Sequence, residues 1–100
     1  MLEAADAVAA FITGRDRAAL DTDQMLLFAL VRAIEIIGEA ASRVSNETRS
    51  AAPAVPWAMI TAMRNRLIHV YFDIDRDIVW RTAVGDIPTL CPLLMEIIDG

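Results

Sequence analysis

One hundred residues, 56% hydrophobic and 23% charged, suit a single domain spanning 1–100 that can bury a core and is too apolar to be disordered. The net charge of -5 argues against a general nucleic-acid binder, which is usually basic, and leaves room only for a local basic cleft. No apolar run reaches the ~20 residues of a membrane span, and no basic segment followed by an apolar one marks a secretion signal, so a cytoplasmic protein is expected. A domain this small buries only about 60% of its unfolded surface, so part of its apolar surplus points to a subunit interface.

The pattern predicts four to five helices and no strand. Leu2 to Thr13 places Leu2, Ala5, Val8, Ala9 and Ile12 at helical spacing, with Gly14 as the stop. Arg15 to Asp21 reads as a polar connection. A long helix follows from about Thr22 to Val44, capped by Thr22 or Asp21. Its charges, Arg32, Glu35, Glu39 and Arg43, step by three or four and make one narrow stripe. The remainder, from Leu26 to Ala41, is apolar, which implies cover by sister helices and by a second subunit. Gly38 costs about 1 kcal/mol inside a helix, and close approach of another backbone would explain it.

Ser45 to Val55 is a polar connection with a short turn at Glu47 to Ala51. Pro56 fits the first turn of a third helix, which runs from Trp57 to Ile68 or Tyr71. Phe72-Asp73-Ile74-Asp75 breaks the pattern, and Asp75 can cap a helix carrying Ile78, Val79, Trp80, Ala83 and Val84. Gly85-Asp86-Ile87-Pro88 reads as a stop or sharp kink, after which Leu90 to Ile98 is helical again. Trp57 and Trp80 read as core. Cys91, the single cysteine, cannot form an internal disulfide and reads as a buried, unreactive thiol among Leu90, Leu93 and Leu94. One histidine and one cysteine without ligand spacing make no metal site, and no cofactor motif is present.

Chemistry concentrates in Arg64-Asn65-Arg66-Leu67-Ile68-His69-Val70-Tyr71, which holds the only histidine and the only tyrosine. A ribonuclease that needs no metal activates the ribose 2′-hydroxyl against the adjacent phosphodiester. Histidine titrates near the working pH without tuning, and arginine offers a planar donor fork to the phosphoryl oxygens. Asn65 can orient the imidazole or donate to phosphate. Geometry sets a condition: five residues of ideal helix turn through ~500°, which leaves Arg64 and His69 about 140° apart. They meet only if the helix loosens near Ile68, if Arg64 curls round, or if two copies contribute across a dimer seam. Each residue also has an ordinary reading. His69 can partner a backbone carbonyl or a carboxylate, Arg64 and Arg66 can pair with Glu35 and Glu39, and Tyr71 can be a half-buried aromatic.

Arg64-x4-His69-x-Tyr71 resembles the motif of HepT-like toxins in the HEPN superfamily. Ile34-Glu35-Ile36-Ile37-Gly38-Glu39-Ala40-Ala41, Val55-Pro56-Trp57, the stretch from Tyr71 to Asp75 with Ile78-Val79-Trp80, and Asp86-Ile87-Pro88-Thr89-Leu90 resemble further segments of that family, in its order. The resemblance implies an all-α, up-and-down four-helix bundle that forms a homodimer with its RNA cleft at the seam. It implies the toxin of a type II/VII-like toxin–antitoxin pair, a metal-independent endoribonuclease neutralised by an MNT-type nucleotidyltransferase. By the same resemblance Arg64 and His69 are catalytic, Asn65 and Arg66 support them, and Tyr71 accepts AMP from the antitoxin. The alternative is a non-catalytic helical dimer that binds the nucleotidyltransferase and is modified by it.

Overall fold

In a computed structural model the described residues are 1–67 and 74–99, with backbone alone for Arg64 and for 97–99. Every regular element among them is helical: α1 (Leu2–Ile12), α2 (Ala19–Thr22), α3 (Gln24–Ser42), α4 (Asn46–Ala51), α5 (Trp57–Met63), α6 (Arg76–Arg81) and α7 (Ile87–Asp99). A 3₁₀ turn at Arg64–Arg66 continues α5, and a π turn at Thr82–Asp86 joins α6 to α7 without a break. The expected all-α architecture holds. Its main rods are α1, α3, α5 and the α6–α7 helix, with α2 and α4 as short additions.

The central rod is α3, against which α1 and α5 pack. It buries Leu26, Leu27, Leu30, Val31, Ala33, Ile34, Ile37, Gly38 and Ala41. Val8 of α1, Ile60 and Met63 of α5, Val79 of α6 and Ile87 and Leu90 of α7 complete the core. Truncating a residue as enclosed as Ile34 to alanine costs about 2–5 kcal/mol by lost transfer and cavity formation. No described helix is long and apolar enough to cross a membrane.

Local chemistry sets the boundaries. Gly14 takes a φ of 72° after α1, a left-handed conformation that glycine adopts without a Cβ penalty. The stretch expected as connection contains α2, held because Leu20 is buried. The cap of α3 is Asp23, not Thr22 or Asp21: its carboxylate accepts from the Leu26 amide at 3.1 Å and also meets Arg15 at 3.1 Å. The extended backbone at Asp23 lets its side chain fold over the first turn. Ser45 caps α4 through the Thr48 amide, and Asp75 caps α6 through the Ile78 amide, as expected for Asp75.

Further expectations change, and Gly38, which the sequence sets against another backbone, is buried in α3. Trp57 is core, with its indole N–H donating to the Ala52 carbonyl, but Trp80 is only half-buried. At 85–88 the chain does not stop, and helix runs on through the π turn into α7. Pro88 cannot donate to the carbonyl four residues back, and the wider π turn absorbs that loss, with the Thr89 hydroxyl bonding the Gly85 carbonyl at 2.9 Å. Cys91, expected to be buried, is only half-buried, and desolvation, then the field of Asp6, raises its pKa.

Candidate active site

The motif grows from the end of α5. Trp57, Ile60, Met63 and Leu67 are buried at steps of three and four and anchor this helix to α3. At Arg64 the chain tightens into the 3₁₀ turn, so α5 ends at Met63, and the expected run on to Ile68 or Tyr71 lies outside the described residues. Met63 and Leu67 are fully enclosed on either side of the turn, while Asn65 and Arg66 are exposed. The Asp75 amide then donates to the Leu67 carbonyl at 2.8 Å, joining the described chain on both sides of 68–73. His69 and Tyr71, and the side chain of Arg64, lie outside the described residues.

Arg66 points away from the acidic stripe. Its Nη2 lies 4.0 Å from Asp86 Oδ2, both side chains being nearly half exposed. Glu35 and Glu39 are engaged within α3, by Arg32 at 3.7 Å and Arg43 at 2.9 Å. The expected alternative of Arg66 pairing with Glu35 or Glu39 is therefore replaced by a link from the motif turn to the π turn.

Between these turns lies a cavity of about 300 Å³ lined by Arg66, Ile78, Arg81, Thr82 and Asp86. Its size sits at the lower end of small-ligand clefts. The sequence reading did not single out Arg81 or Asp86 as site residues. They stand five apart, about 140° out of phase on a regular helix; the π turn closes i to i+5 bonds and brings them into one wall. Nothing in the hydrophobic pattern announces that extra residue. A roomier cavity of about 470 Å³, lined by Thr48, residues 51–55, Leu93 and Glu96, offers one carboxylate and no cation, and so lacks a group to hold a phosphate.

Over residues 1–97 the chain matches the family model described as ribonuclease HepT-like. The chain belongs to that family. Among similar proteins, a probable ribonuclease HepT of Thermococcus cleftensis is 43% identical over 68 residues, 68% of this chain and 62% of that protein. Candidate RNase MJ1380 of Methanocaldococcus jannaschii is 38% identical over 90 residues, 90% of this chain and 83% of that protein. Candidate RNase TTE0752 of Caldanaerobacter subterraneus subsp. tengcongensis is 42% identical over 77 residues, 77% and 69% of the two chains. The match thus spans less than two thirds of the Thermococcus protein. No solved structure matches the chain. The family assignment agrees with the resemblance read from the motifs, and it spans α1 as well as the segments from Met25 onward.

Proposed function

We propose that this chain is a metal-independent endoribonuclease, the toxin of a toxin–antitoxin pair of type II/VII-like organisation. The observation that carries the reading is the family match over residues 1–97 with Arg64-x4-His69-x-Tyr71 inside it. In this reading His69 takes the proton from a ribose 2′-hydroxyl as the 2′-oxygen attacks the adjacent phosphorus. The P–O5′ bond breaks, and the leaving oxygen receives a proton, giving a 2′,3′-cyclic phosphate and a 5′-hydroxyl. Arg64 stabilises the charge on the phosphoryl oxygens, and Asn65 and Arg66 hold the neighbouring backbone. One imidazole performs one transfer at a time. Two copies of the chain supply base and acid together, which is a chemical reason for a homodimer.

The dimer reading has support in the surface of α3. Met25 is 83% exposed, Phe28 54% and Ile36 40%, and they recur at three- to four-residue steps interrupted by Arg32. The partner that neutralises the toxin is an MNT-type nucleotidyltransferase, with Tyr71 as the hydroxyl that accepts AMP. The alternative, a non-catalytic dimer with Arg64 and His69 as scaffold in ion pairs with the acidic stripe, finds less support, because Glu35 and Glu39 already pair with Arg32 and Arg43. The test is cleavage of a single-stranded RNA by purified parent and His69→Ala proteins in EDTA. Cleavage by the parent alone supports the reading. Equal cleavage by both, or strict dependence on a divalent metal, overturns it.

A further inference from the structure

The chain contains nine basic residues and all are arginine. Most of the described side chains are committed. Arg15 bonds Asp23, Arg17 bonds Asp21 and Asp77, Arg32 meets Glu35, and Arg43 meets Glu39. Arg49 donates to the Ala41 carbonyl at the end of α3, and Arg76 donates to the Leu20 carbonyl and lies near Asp21. Among the described residues Arg81 is the one arginine side chain with neither a hydrogen bond nor an ion pair. It is exposed and lines the same cavity as Arg66. Arg66 itself has only the long, half-exposed contact to Asp86.

An unpaired guanidinium on an acidic protein is a cation available to an anion from solution. Here it lies across a small cleft from a second guanidinium whose only partner is weak. The backbone explains the placement. The π turn swings Arg81 and Asp86 to one side of the α6–α7 helix, and the 3₁₀ turn brings Arg66 to face them, two residues after the motif arginine. We propose that Arg66 and Arg81 form an RNA phosphate subsite beside the motif, and that Asp86 acts as a built-in competitor holding Arg66 until a phosphodiester displaces it. The proposal rests on the ribonuclease reading and names the track along which the RNA backbone leaves the cleavage point. Arginine's planar fork suits a phosphodiester, whose two free oxygens accept from it in parallel. Asp86 opposes binding by like-charge repulsion, so RNA must outcompete it and short anions gain little.

The experiment measures binding of a fluorescein-labelled single-stranded oligoribonucleotide to full-length protein in the His69→Ala background across a salt series. Each phosphate contact contributes roughly 0.7 to the slope of log affinity against log salt for a single strand. Arg81→Ala is expected to weaken binding and lower the slope by about that amount, Arg81→Lys to restore the slope because the charge returns, and Asp86→Asn to tighten binding. Arg43→Ala, which removes a distant paired cation, is the control and should leave the slope as it was. The proposal is overturned if Arg81→Ala leaves the slope unchanged, if Arg43→Ala lowers it equally, if Asp86→Asn weakens binding, or if no oligonucleotide binds. Loss of nucleotidyltransferase binding with RNA binding intact also overturns it, and assigns the cleft to the partner protein. Cleavage is assayed separately in the histidine-bearing protein. A slope change without cleavage keeps the subsite and removes the ribonuclease reading, whereas cleavage without a slope change does the reverse.

Discussion

The Asp75 amide and the Leu67 carbonyl meet at 2.8 Å, and the Asp75 carboxylate bonds the Ile78 amide at 3.1 Å. One residue thus ties the end of the motif turn to the start of α6. Asp75→Ala removes the cap and should destabilise the fold by about 1 kcal/mol, read as a lower urea midpoint at unchanged m-value. Asp75→Asn, which also caps, should recover most of the loss. Equal midpoints for parent and alanine variant would show that the cap contributes nothing.

Arg64 is assigned the phosphoryl charge in the proposed reaction. Arg64→Ala should reduce cleavage by about 10²-fold or more, and Arg64→Lys should rescue it only in part, because an ammonium lacks the fork. Rates are compared on proteins with matched circular dichroism. Full activity in Arg64→Lys would mean that charge alone suffices.

The Leu26 amide hydrogen bond, aided by Arg15, holds the Asp23 carboxyl below its ordinary value of 3.8, against opposing desolvation. A depressed folded-state pKa contributes stability that is present above the unfolded value and lost as pH falls through the folded one. Asp23→Asn keeps a capping side chain without the titration. The parent should therefore lose its advantage over Asp23→Asn as pH drops below about 3.8, measured by thermal unfolding. A pH-independent difference would sever the cap from that titration.

The reading from sequence was strongest where one periodicity runs undisturbed. The core face of α3 and the apolar positions of α1 follow from spacing, and Asp75 as a cap follows from residue type. It failed where a few residues depart from 3.6 per turn. The α5 helix tightens at Arg64, the α6–α7 helix widens at Thr82–Asp86, and α2 is a single turn kept by Leu20. Pro88 announces a disruption, but whether the chain stops or widens there, and where α5 tightens, depends on tertiary packing that no local pattern encodes. Because these departures bracket the candidate site, Arg81 and Asp86 could not be joined to Arg66 from sequence. Arg64, His69 and Tyr71 were legible as a motif, yet their side chains lie outside the described residues, so their meeting rests on the family.

The exposed Met25, Phe28 and Ile36 predict self-association through α3. Light scattering at micromolar concentration should give twice the 11.0 kDa of one chain. Phe28→Glu should shift the protein toward monomer while it stays folded, because the side chain is already more than half exposed. A parent that remains monomeric would refute the dimer.

Tyr71 is the only phenol in the chain. Co-expression with an adjacent nucleotidyltransferase and ATP should add one AMP to the intact mass, absent in Tyr71→Phe. The added charge and bulk beside Arg64 and His69 would repel incoming phosphate. Neutralisation of toxicity with no mass change would mean that the partner acts by binding alone.

Arg17 donates to Asp77 at 2.7 Å across sixty residues of sequence, and Arg76 reaches back to the Leu20 carbonyl at 3.3 Å. These links fasten α2 to α6 at the surface, and neither belongs to the apolar contacts that must form early for α1, α3 and α5 to assemble. In kinetic terms they should act as late-closing latches, with low φ-values on mutation. Weakening them should leave the speed of folding nearly untouched and shorten the lifetime of the folded chain, so a surface corner outside the apolar core sets how long the protein survives once made.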